Sequence, residues 1–141
     1  MARRRCADSP REQEQILSAN EVGTKLVELC RQGDFRGALE ACYAEDIVSV
    51  EAQDMSGEGR ETRGLDKVRE KTARWEATNI VHSCEVGGPY PHDDRFAVTF
   101  DIDVTPRAGP MAGNRFRMQE VGVYTVRDGK VAREEFFYSM G

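Results

Sequence analysis

The chain has 141 residues and a formal net charge of −5, with 39% apolar and 32% charged residues, the balance of one soluble globular domain. That acidity argues against a broad basic face for nucleic acid. No apolar run approaches the roughly 20 residues of a membrane span, so no membrane is expected as a partner.

Residues 1–12 read as a disordered tail and residues 13–141 as a single domain. The tail carries Arg3-Arg4-Arg5, too short a cluster for a binding arm. Met1 to Gln15 lacks the apolar stretch of a secretory leader, so a cytoplasmic protein is expected. Cys6, Cys30, Cys42 and Cys84 show no CxxC pair or zinc spacing, which suits free thiols in a reducing compartment. The two histidines, His82 and His92, are too far apart to place two ligands on one turn or strand. Neither a metal nor a cofactor is expected.

From Gln13 to Gln32, Ile16, Ala19, Gly23, Leu26, Val27 and Cys30 recur at helical spacing. Gly33 stops this helix and Asp34 caps a second, whose apolar face is Phe35, Ala38, Leu39, Cys42 and Tyr43. Ile47 to Ala52 is a strand by β-branched content, and the Gly-rich run Gln53 to Gly64 is a loop. A third helix, Leu65 to Trp75, buries Leu65, Val68, Thr72 and Trp75. It leaves Lys67, Arg69, Glu70, Lys71 and Arg74 to water.

After Asn79 the pattern turns to strand. Ile80 to Val86 comes first, with His82 inward beside Ile80, Cys84 and Val86, then a break at Gly87-Gly88-Pro89. In Arg95 to Thr105, Phe96, Val98, Phe100, Ile102 and Val104 share a core face. His92 lies in the intervening turn. A loop over Pro106 to Gly113 leads to a hairpin, Asn114 to Met140, whose turn is Arg127-Asp128-Gly129-Lys130. One face of its first strand carries Phe116, Met118, Glu120, Gly122, Tyr124 and Val126, a row with one carboxylate. On the second strand Ala132, Glu134, Phe136, Tyr138 and Met140 alternate with Val131, Arg133, Glu135, Phe137 and Ser139. Helices segregated from a mostly antiparallel sheet make the domain α+β. The apolar odd-numbered face, with Val121, Val123, Val131 and Phe137, predicts a homodimer.

The segments "CRQGDFRGALEACYAEDIVSVEA", "GEGRETRG" and "EVGVYTVRDGKVAREEFFY", in this order, resemble the SnoaL-like branch of the nuclear transport factor 2-like superfamily, which also holds the ketosteroid isomerases. The resemblance spans Val22 to Tyr138. It implies a cystatin-like α+β roll: a cone of curved antiparallel sheet wrapping three helices, open at one end to a pocket and commonly dimeric through its outer face. It does not fix the chemistry, because this fold hosts isomerases, cyclases, dehydratases, hydrolases and binding modules. By the resemblance, Glu51 takes the isomerase general-base position at the end of the first strand. The isomerase oxyanion hole, a first-helix tyrosine with a protonated aspartic acid, falls on Leu26 and near Val121 or Gly122, which argues against steroid isomerisation by that route.

Glu51 and Glu120 are thus the candidate catalytic pair, Glu51 as base and Glu120 as a neutral acid in a dry pocket. The gap at Gly122 would leave room for a ligand's edge. Tyr43, Trp75, Met118, Tyr124, Glu134, Phe136 and Tyr138 are the candidate ligand contacts, the aromatic rings serving either as core or as walls for a small, flat hydrophobic ligand. Glu120 and Glu134 have an alternative, that they reach the sheet rim or pair with Arg115, Arg117 or Arg133. Two readings follow: a cofactor-independent isomerase, cyclase or hydratase, or a non-catalytic small-molecule-binding or dimerisation module.

Overall fold

The computed structural model describes residues 17–139. The tail with Arg3-Arg4-Arg5 and Cys6, the expected first turns from Gln13, and Met140 lie outside the described residues. Helix α1 is Ala19–Arg31. It begins later than the apolar period suggests because Ser18 and Glu21 form a reciprocal capping box, each side chain bonded to the other's backbone N–H at 2.9–3.1 Å. Gly33, at φ +77°, ends it. Asp34 then accepts the Gly37 N–H at 2.8 Å and starts α2, Phe35–Cys42. Tyr43, expected as the last apolar residue of that helix, instead opens strand β1, Tyr43–Val50.

The expected loop after β1 contains a short strand, β2 (Glu61–Arg63), that pairs antiparallel with β1. Helix α3 runs Leu65–Thr78. Strand β3 is continuous over Asn79–His92, because the expected break at Gly87-Gly88-Pro89 is absorbed as a register shift between Gly87 and Tyr90. The remaining strands are β4 (Arg95–Pro106), β5 (Phe116–Arg127) and β6 (Lys130–Phe137). Asp128 and Gly129 adopt φ +53° and +75°, the left-handed pair that a two-residue hairpin requires.

The six strands form one curved, unclosed sheet in the order β2-β1-β6-β5-β4-β3. All neighbours are antiparallel except β1 and β6, the second and third strands, which run parallel, so the expected antiparallel sheet has one exception. The helices fill its concave side. Gly23 lets α1 sit close against the sheet: a Cβ there would lie 2.8 Å from the Pro89 Cβ and 3.0 Å from the Phe96 ring. Leu26, Ile47, Val68, Phe96, Val98, Val104 and Tyr124 form the centre of the core. The alternation read for β4 and β5 holds, with Phe96, Val98, Phe100, Ile102 and Val104 buried.

Two faces depart from strict alternation, both through bulges. Between Val81 and Ser83 the β3–β4 register shifts, turning Ile80 and His82 off the core face. His82 is exposed and meets the Thr105 hydroxyl at 2.7 Å, which corrects its expected inward position. Between Thr125 and Val126 the β5–β6 register shifts by one, so Val131 is fully buried with Glu134 instead of lying on the outer face with Phe137. Cys30 and Cys42 are buried and Cys84 half-buried, all free thiols. Burial pushes Cys30 up to about 12 and Cys84 to about 11, so both stay protonated at neutral pH. Among the described residues no helix is long and apolar enough to cross a membrane.

Candidate functional site

Register places the polar residues of the concave face. Phe96 pairs with Tyr124, Tyr124 with Glu134, and Glu134 with Ser49, one row across β4, β5, β6 and β1. Phe96 and Tyr124 stack at 4.9 Å, and Tyr124 meets Phe136 edge-on at 6.3 Å. The next row joins Val98, Gly122 and Phe136, and the one after it joins Phe100 to Glu120. Two residues beyond Ser49, Glu51 follows the end of β1. The carboxyls of Glu134, Glu120 and Glu51 therefore lie in neighbouring rows of one sheet face.

Glu134 is 3% exposed and Ser49 fully buried. Glu134 accepts a hydrogen bond from the Ser49 hydroxyl at 2.6 Å and a second from the Tyr43 hydroxyl. Burial pushes its carboxyl up, while Lys71 and the two hydroxyls pull it back. The Lys71 ammonium donates to Ser49 Oγ at 2.7 Å and to Glu51 Oε2 at 2.9 Å, and it stands 5.8 Å from the centre of the Phe136 ring. The Tyr138 hydroxyl completes the chain by donating to Glu51 Oε1 at 3.1 Å. A continuous network thus runs Tyr43, Glu134, Ser49, Lys71, Glu51, Tyr138.

Glu120 stands apart from it. No hydrogen bond or ion pair joins its carboxyl to another described residue. Burial, then the charges of Glu51 and Glu134, push it up to about 7, with Lys71 opposing. The alternative pairing with arginine fails on geometry, since the arginines occupy the outer face: Arg115 binds Asp103 at 2.8–2.9 Å, Arg117 binds Asp101 at 3.0 Å, and Arg133 meets Glu135 at 3.4 Å. The space beside Gly122 is not vacant. Its missing Cβ is replaced by the Tyr124 ring and hydroxyl, 2.8–2.9 Å from where that atom would stand.

Of the candidate contacts, Tyr43 and Tyr124 are core residues bound into the network's deep end. Trp75, Met118 and Phe136 are half-buried against that core, and Tyr138 is half-buried beside Glu51. Lys71 and Ser49 were not among the expected site residues. Lys71, assigned to the solvated side of α3, turns inward because it lies three residues after Val68 and four before Trp75, on their face of the helix. Ser49 follows Ile47 by the strand period of two. Among the described residues no three His, Cys, Asp or Glu side chains are grouped as a metal site.

A sequence model of the SnoaL-like domain matches residues 17–138. The chain belongs to the SnoaL-like family. A candidate SnoaL-like polyketide cyclase from Mesorhizobium loti, also called a carbohydrate phosphatase, is 40% identical, with a TM-score of 0.80 over 86% of this chain and 100% of that one. A candidate polyketide cyclase from Silicibacter shares 20% identity at a TM-score of 0.67, covering 89% of this chain and 92% of its own. A Xanthomonas campestris protein of cystatin-like fold shares 13% at 0.70, covering 87% and 92%. These last two bear on the fold alone. No curated protein matches. Within this SnoaL-like domain, Lys71 of α3 and the sheet-side carboxyls Glu51, Glu120 and Glu134 are titratable groups that act on one another.

Proposed function

We propose that this SnoaL-like domain is a cofactor-independent isomerase, cyclase or hydratase that moves a proton on a small hydrophobic carbonyl compound held between Trp75, Met118, Phe136 and Tyr138. The observation that carries this reading is the contrast between two carboxyls: Glu51 paired with Lys71 and Tyr138, Glu120 with no partner and pushed up to about 7. A group that titrates near neutrality can both take and return a proton under working conditions. Glu120 is therefore assigned the proton exchange. Glu51, a charged neighbour, raises its basicity and is the second member of the pair. The Mesorhizobium relative, a candidate polyketide cyclase, supports a carbonyl substrate of this class.

The experiment is hydrogen–deuterium exchange at the α-carbon of a panel of small aryl ketones and β-diketones, followed by NMR. Wild type should accelerate exchange for at least one of them, and Glu120→Gln should lose roughly 100-fold or more, the usual contribution of a positioned acid or base. Exchange that Glu120→Gln leaves unchanged would favour the non-catalytic binding module.

We further propose that the outer sheet face pairs with a second copy. Val121 and Phe137 are 36% and 52% exposed there, beside a shallow cavity of about 530 Å³ that Glu85, Thr99, Asp101 and Gln119 also line. Acidic Asp101 and Asp103 alternate with Arg115 and Arg117 around this patch, a pattern that can complement itself across a two-fold axis.

A further inference from the structure

We propose that Lys71 is the electrophile of the site: its third N–H binds the substrate's carbonyl oxygen and carries the negative charge that develops there. The inference rests on the proton-exchange reading above and names what that reading lacks, a partner for the oxyanion. An ammonium has three donors. Two are committed, to Ser49 Oγ at 2.7 Å and Glu51 Oε2 at 2.9 Å, which fixes the nitrogen in place. No described residue accepts the third. The side chain keeps 24% of its surface exposed, and the Phe136 ring beneath it offers a flat seat for an unsaturated ligand.

Three of the other hydroxyl donors here are engaged. Tyr43 and Ser49 donate to Glu134, and Tyr138 donates to Glu51. The Tyr124 hydroxyl is buried against Gly122 and lies beside that of Tyr43. The remaining free donor of full charge is Lys71.

The balance of charge favours a neutral ketone as substrate. Three carboxyls, Glu51, Glu120 and Glu134, stand near one ammonium here, so an anion arriving from solvent meets repulsion. Charge created inside the site is different. When the Glu120 carboxylate takes the proton next to the carbonyl, the C–H bond breaks, its electron pair forms the C=C bond, and the C=O π pair moves onto oxygen. Glu120 becomes neutral as the oxygen becomes negative. The total charge is unchanged, and the ammonium gains a neighbour where it had none. Return of the proton to the same carbon or another completes exchange or isomerisation. In many such reactions, a preorganised donor aimed at the developing charge lowers the barrier more than any other single group.

The probe is 2-naphthol, a flat weak acid whose anion mimics the enolate oxygen and has its own fluorescence band. The full chain should raise the naphtholate fraction of bound probe above that of free probe at the same pH. Lys71→Met should lower that fraction roughly tenfold or more, the order of a charge-assisted hydrogen bond, with a smaller loss of affinity for neutral naphthol; Lys71→Arg should restore part of the effect. In folded wild type, the Lys71 Nζ nitrogen-15 resonance should move on adding naphthol, a readout that does not depend on a variant's stability. An equal naphtholate fraction in wild type and Lys71→Met, with a still Nζ resonance, overturns the assignment and leaves the pocket standing. Failure of naphthol to bind in either charge state overturns the pocket reading and this inference with it.

Discussion

Three glutamates on one wall take three states from their surroundings. Glu134 is held by hydroxyls, Glu51 by an ammonium, and half-buried Glu120 by no partner, only by desolvation and its neighbours' charge. The groups that act on Glu120 are Glu51 and Glu134, which raise it, and Lys71, which lowers it; Cys84 lies alongside and stays a neutral thiol. Carbon-13 titration should therefore find its midpoint near 7, moved down by Glu51→Gln and up by Lys71→Met; a midpoint that neither change moves would separate Glu120 from the pair. The same shift ties stability to pH. Because folding raises this pKa from 4.5 to about 7, the folded state binds the extra proton, and the resulting stabilisation is fully present below 4.5 and lost as pH rises through 7. Glu120→Gln should match wild type in urea at pH 4 and exceed it at pH 8 by on the order of 1–3 kcal/mol. Glu120 was legible because a lone carboxylate interrupts an apolar alternation. Lys71 was not, since a cation in a charged run reads as solvated until the facing carboxylate is known.

At the scale of elements, α1 packs closely on the β3–β4 hairpin at Gly23, where a side chain would have to displace proline and phenylalanine atoms 2.8–3.0 Å away. Gly23→Val should cost about 1–3 kcal/mol in chemical denaturation, whereas Ser18→Ala, which removes only the cap, should cost about 1 kcal/mol. The helices, the β4 and β5 faces and the 128–129 turn could be read from period and turn chemistry because each is locally determined. What escaped the sequence is non-local. Strand β2 exists only because β1 offers it an edge, and the continuity of β3 is enforced by eleven paired residues of β4. The bulge in β6 is the instructive case. Strict alternation from Val131 would have carried Arg133 into the core beside it, and the one-residue shift instead lets both Val131 and Glu134 point inward.

For the whole molecule, light scattering at micromolar concentration should give twice the chain mass of 15.9 kDa. Phe137→Asp should halve it without loss of helix signal, and a wild-type monomer would end the dimer proposal. The parallel pairing of β1 with β6 has a further consequence, in time rather than in space. Every bond that ties the two halves of the network spans most of the domain: 91 residues from Tyr43 to Glu134, 85 from Ser49 to Glu134 and 87 from Glu51 to Tyr138. Closing loops of that length costs chain entropy before any contact returns it. Local hairpins such as β3–β4 and β5–β6 can form first, and the β1–β6 seam then zips them to the helical half. The wall that holds the carboxyls is thus among the last parts of the domain to exist. Ser49→Ala should accordingly speed unfolding while leaving the refolding rate nearly unchanged, the kinetic signature of contacts made after the transition state.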